Sequence, residues 1–120
     1  MSKKTLVIGA SLKRNRYSNL VIHKLVNKGI SVVTHGLNEG EIAGIIIDTE
    51  LIFYDDIDTV TLYLNPIRQK TMYNYIVSLK PNRVIFNPGA ENPEFYSILK
   101  ENDIHFEVAC TLALLATNQY

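Results

Sequence analysis

An apolar run from Thr5 to Ala10 breaks at Gly9-Ala10-Ser11 into a basic loop, and helical periodicity begins near Tyr17. A strand that stops at a small-residue turn and feeds a helix is the architecture of a phosphate cradle. Small side chains let the backbone approach an anion, while the helix N-terminus offers unpaired N–H groups and the positive end of a dipole. The chain is therefore first a nucleotide-binding candidate. The turn alone does not decide this, since Gly-Ala-Ser lacks the full G-x-G-x-x-G pattern and strand-turn-helix connections also serve structural ends in α/β proteins.

The same alternation continues along the chain. Leu6 to Ile8 reads as a first strand, and Tyr17, Leu20, Val21 and Leu25 recur at helical spacing as far as Gly29, a natural C-terminal stop. Ile30 to Val33 is the second strand and Thr59 to Leu64 the third. Between them, Gly36 to Asp56 carries three glycines and the apolar island Ile45-Ile46-Ile47, and reads as an irregular crossover. Asn65-Pro66 is an N-cap followed by proline at the first helical position, ahead of a stripe of Met72, Tyr73, Ile76 and Leu79 that Lys80-Pro81 ends. Arg83 to Phe86 is a fourth strand, Asn92-Pro93 opens a helix containing Phe95, Tyr96 and Leu99, and Ile104, Phe106 and Val108 alternate as a fifth strand. Thr111 is placed to cap a last short apolar helix. This spacing predicts a parallel sheet with helices on both faces. Ligands of such sheets sit beyond the carboxyl ends of the strands, where strand order reverses.

At 120 residues the chain makes one domain, 1–120, large enough to bury a core without covalent staples. Twelve basic residues balance twelve acidic ones, which counts against a nucleic-acid or membrane-surface binder whose affinity comes from basic excess. No segment reaches the length needed to cross a bilayer. The one cysteine, Cys110, leaves no intramolecular disulfide and no multi-cysteine metal site, which fits a reducing, cytoplasmic setting.

Beside the small-residue turn, Lys13, Arg14 and Arg16 bring three cations. Arg14 and Arg16 carry most weight, because guanidinium suits bidentate phosphate contacts better than ammonium does. A solvated basic loop is the plain alternative. Two absences narrow the nucleotide. An NAD-type site places Asp or Glu at the end of the second strand for the ribose hydroxyls, where this chain has Thr34-His35-Gly36. No G-x-x-x-x-G-K-[ST] pattern occurs, which counts against a P-loop hydrolase.

Four stretches then combine: Val7 to Ser11 with Arg16-Tyr17-Ser18-Asn19, Thr59 to Pro66, Pro81 to Asn92 with its Asn-Pro-Gly-x-Glu-Asn run, and Ala109-Cys110-Thr111-Leu112. In this order they resemble the small stand-alone CoA-binding proteins, which are similar to the CoA-binding domain of the succinyl-CoA synthetase alpha subunit. The resemblance implies a Rossmann-like three-layer α/β domain with a five-stranded parallel sheet, and CoA or an acyl-CoA held at the first strand-to-helix turn. Gly9, Ala10, Ser11, Arg16, Tyr17 and Ser18 would surround the diphosphate, and Asn65-Pro66 and Pro88-Gly89 would border the cleft. Thr34-His35-Gly36-Leu37 departs from the Val-Asn-Pro-like stretch that the family often carries near the adenosine end. The phosphohistidine segment of the synthetases is missing from the chain, which counts against synthetase activity, and no nucleophile, base and orienting group occur as a recognisable set. The expectation is therefore a binding module without catalytic residues and, from its charge balance and lack of metal-ligand company, without metal, nucleic acid or membrane. An enzyme or redox sensor using another nucleotide such as NAD is one alternative, and a structural subunit with a vestigial cleft is another.

Other chemistry-bearing residues have simpler readings. Asn92 reads as a helix cap and Glu91 as a charge near a helix start, against a role in polarising a substrate. Cys110 reads as a buried small hydrophobe, against a thiol facing the pantetheine arm. His23 and His105 fall on outward phases without metal-ligand company, His35 lies at the rim of the site, and Tyr54 to Asp58 is a solvated acidic turn.

Overall fold

A computed structural model describes residues 3–120 of the chain. Its central strand is β1 (Thr5–Ile8), all four residues of which are buried, as a strand covered on both faces requires. Leu6 and Ile8 join one apolar cluster and Val7 the other. β2 (Val32–His35) and β5 (Thr59–Leu62) pair with β1 in parallel, one on each side. β6 (Arg83–Phe86) and β7 (His105–Val108) extend the sheet beyond β5, also in parallel.

Among the described residues the sheet has seven strands, not five, in the order β3-β4-β2-β1-β5-β6-β7, with β3 at Glu41–Ile42 and β4 at Ile45–Asp48. Both additional strands come from the stretch read as an irregular crossover. β3 and β4 form an antiparallel hairpin, and β4 adds to the edge of β2 in parallel. Ile47 is buried and Ile46 exposed, the period of two that a half-covered strand shows. The turn conceals this hairpin in the sequence. Ala43 and Gly44 have φ of 52° and 83°, a connection that Asn-Gly would have announced. An alanine held left-handed is unfavourable by about 1–2 kcal/mol. Ala43→Asn is therefore expected to stabilise the protein by up to about 1 kcal/mol, read as a higher urea midpoint at unchanged slope.

One face of the sheet is covered by α1 (Tyr17–Asn27) and α5 (Thr111–Ala116), packed around Val7, Ile22, Leu25 and Leu115. The other carries α2 (Pro66–Gln69), a 3-10 turn at Lys70–Met72, α3 (Tyr73–Leu79) and α4 (Pro93–Glu101), around Leu62, Ile76, Phe86, Phe95 and Leu99. The single helix expected after Pro66 is thus three short pieces, the first tied to neighbouring loops by the buried Gln69 amide. Asn65 and Asn92 cap α2 and α4 as expected, accepting from the N–H groups of Arg68 at 3.0 Å and Phe95 at 3.3 Å. β2 starts two residues later than expected because Gly29 (φ 74°) closes α1 with a left-handed cap. There Gly29 and Ile30 still donate to Val26 O and Leu25 O, both at 3.0 Å. Thr111 does not cap α5. Cys110 holds that position, while the buried Thr111 hydroxyl bonds Thr61 Oγ1 at 2.8 Å. On edge strand β7, Phe106 is half-buried and Val108 exposed. Among the described residues, no helix is long and apolar enough to cross a membrane.

Candidate functional site

From β1 the chain runs out to β2 and β4 on one side, then returns to β5 on the other. Beyond the carboxyl ends of these strands, where the order reverses, opens a cleft of about 940 Å³. Glycine permits the close approaches that shape it. Gly9 has φ 95°, and a Cβ there would lie 3.0 Å from the Tyr63 carbonyl group. A Cβ on Gly36 would stand 2.6 Å from Ala10 O.

The turn after β1 is itself hydrogen-bonded. His35 O accepts the N–H groups of both Gly9 and Ala10 at 3.0 Å. These amides are spoken for by β2, so in this fold the donors open to an anion lie further along, at the start of α1. That helix has Arg16 as its N-cap, makes no side-chain cap bond and carries no acidic residue in its first turn. It is unlike α2 and α4, whose caps are asparagines. Buried Asn19 holds the approach to α1 by donating to Ser11 O at 2.9 Å.

Gly9, Ala10 and Ser11 line the cleft together with Arg16, Tyr17 and Ser18 from the start of α1. Asn65, Pro88 and Gly89 line it from the loops after β5 and β6. The Gly89 N–H is taken by Glu91 Oε1 at 2.8 Å, so Glu91 braces this loop. Arg14 and Pro66 lie outside the lining. The Arg16 N–H bonds Lys13 O at 3.1 Å, closing a turn that carries exposed Arg14 on its outer part, and Pro66 is the first residue of α2, behind Asn65.

Tyr63, Thr71 and Met72 also line the cleft, although the sequence marks none of them as a site residue, and so does Arg68, which ends the segment after the third strand where ligands of such sheets are expected. Arg68 had a readable signal, since it stands one helical turn after the capping Asn65. Among the described residues, Lys13, Arg16 and Arg68 line the cleft while no Asp or Glu does, in a chain of zero formal charge. The cleft therefore concentrates positive potential. Burial pushes the Tyr63 phenol well above its ordinary pKa, leaving a neutral hydroxyl there.

His35 lines the cleft half-buried, and its Nδ1 is shut from solvent without a hydrogen-bond partner among the described residues. Cys110, expected to be buried, is half-buried at the N-cap of α5 and does not line the cleft. His23 is exposed, as is His105, whose Nε2 lies 4.0 Å from Glu107 Oε2. In the acidic turn Asp56 pairs with Lys4 at 2.9 Å, and Asp58 accepts from Thr59 at 2.7 Å and Asn82 at 2.8 Å.

The sequence profile of the CoA binding domain family matches residues 3–116. No curated protein matches the chain. A crystal structure described as that of an uncharacterized protein is 45% identical, with 100% of this chain and 99% of that one covered and a TM-score of 0.97. A Thermus thermophilus protein is 23% identical, with 99% and 91% covered and a TM-score of 0.85. A conserved hypothetical protein from Pyrococcus furiosus is 20% identical, with 96% and 98% covered and a TM-score of 0.80. The last two are alike in fold.

Proposed function

The chain belongs to the CoA binding domain family, and from that premise we propose that its cleft holds CoA or an acyl-CoA without catalysis by the protein itself. One observation carries the reading: the uncapped N-terminus of α1 opens onto a cleft lined by three cations and no carboxylate. A diphosphate fits there, between the first N–H groups of α1 and the side chains of Arg16 and Lys13. Arg68 supplies a further cation to the cleft, and the walls at Asn65 and Pro88-Gly89 would border the uncharged arm. NAD is disfavoured because His35 stands at the end of β2, where a carboxylate would take the ribose hydroxyls.

The absence of catalysis is supported by the company the lining hydroxyls keep. Among the described residues, neither Ser11 nor Ser18 bonds a histidine or carboxylate, as an activated nucleophile would. The free, half-exposed thiol of Cys110 suits a reducing, cytoplasmic setting.

Thermal unfolding with CoA, NAD and ATP tests this reading. CoA at a hundred times its dissociation constant is expected to add about 2.7 kcal/mol, and NAD and ATP at the same concentration less. Acetyl-CoA should come back from the same incubation intact. An equal or larger shift with NAD overturns the ligand, and sustained protein-dependent hydrolysis of acetyl-CoA overturns the non-catalytic role.

A further inference from the structure

Gln69 has no exposure to solvent, yet it sits in a short helix between the two loops that wall the cleft after β5 and β6. Its Nε2 donates to Leu64 O at 2.8 Å and to Ala90 O at 2.7 Å, which uses both amide hydrogens. Leu64 and Ala90 both line the cleft. The β5–β6 ladder ends at Leu62 and Phe86, and beyond it this side chain bridges the backbones of the two walls.

The amide is held the right way round by its other partner. Gln69 Oε1 accepts from Asn92 Nδ2 at 2.9 Å, and the same Asn92 nitrogen donates to Tyr73 Oη at 2.8 Å. Asn92 Oδ1 is fixed as the cap of α4, and Tyr73 donates onward to Glu94 Oε1 at 3.0 Å. The orientation of Asn92 leaves Gln69 its oxygen toward α4 and its two hydrogens toward the walls. A buried amide so fully engaged is rigid, because turning it would leave two carbonyls and a donor unpaired in a dry site.

We propose that Gln69 is a positioning residue that sets the spacing of the two walls, and that these walls receive the uncharged arm of CoA beyond its diphosphate. The proposal rests on the CoA reading above. The arm bears amides and a thiol but no charge, so its hold depends on the fit of the walls, whereas the ADP portion is held by the cations and α1. Wall spacing should therefore act on CoA and spare ADP.

Gln69→Glu keeps the side-chain length and removes one of the two bridging donors even when protonated. Gln69→Met keeps the volume without polar atoms and serves if the buried carboxyl prevents folding. Calorimetric titration of each folded variant is expected to give about tenfold weaker binding of CoA, with ADP within about twofold of wild type. Unchanged CoA affinity in either folded variant overturns the proposal, as does an equal loss for CoA and ADP, which marks a general effect on the fold. Wild-type protein that binds ADP as tightly as CoA also overturns it, since the walls then hold nothing. Wild-type protein that binds neither overturns the CoA reading and this proposal with it.

Discussion

Arg16→Asp is expected to melt above the wild type and to bind CoA at least about a hundredfold more weakly. Position 16 is the N-cap of α1, and arginine there satisfies none of the first-turn N–H groups. Aspartate accepts from them and complements the helix dipole, a change that stabilises by about 0.5–2 kcal/mol. The melting temperature should rise by about 4 °C for each kcal/mol in a domain of this size. The same carboxylate would occupy the groups assigned to the diphosphate, repel it, and remove a charged hydrogen bond that alone is worth about 1.5–3 kcal/mol. Arg16→Ser separates the contributions, because it caps without a negative charge. Scanning calorimetry with titration of CoA checks both directions. A variant that melts higher yet keeps wild-type affinity would mean that the anion does not sit at α1.

The second large effect is structural. Gly36→Ala places a Cβ 2.6 Å from Ala10 O and 3.1 Å from Ile47 Cγ2. Ala10 cannot retreat freely, since its own N–H and that of Gly9 are bonded to His35 O, one residue from the substitution. Overpacking of this kind is expected to destabilise by about 2–3 kcal/mol and to shift the turn that shapes the cleft. Gly40→Ala is the matched control, for the atoms nearest its Cβ belong to the flexible side chain of Leu12 and not to backbone. Urea denaturation of the two variants decides the matter. A Gly36→Ala protein as stable as Gly40→Ala would show that the end of β2 is not locked to the turn after β1.

What could be read from the sequence was local. Asn65-Pro66 and Asn92-Pro93 announce their helices because a cap needs only a side-chain oxygen and an N–H three residues on. Gly29 announces the end of α1 because a left-handed stop falls on one residue. What escaped was set by distant partners. Ala43-Gly44 carries no strong turn signature, so Ile45 to Ile47 was read without the β2 edge it joins. Gly9 and Ala10 read as residues around a diphosphate, and nothing nearby in sequence shows that His35 takes their hydrogens. Arg14 and Arg16 looked equivalent until the turn between Lys13 and Arg16 parted them. The burial of Gln69 has no local signal, because one of the carbonyls its amide holds, Ala90 O, lies 21 residues away.

The bonds from Gly9 and Ala10 to His35 also bear on kinetics. Since these amides have partners already, the backbone of the turn need not rearrange when a ligand arrives or leaves. Entry then asks only side chains to move, and Lys13, Arg16 and Arg68 draw an anion in from a distance. Association should be quick and slowed by salt for every anionic nucleotide, so that tight and weak ligands differ chiefly in how long they stay.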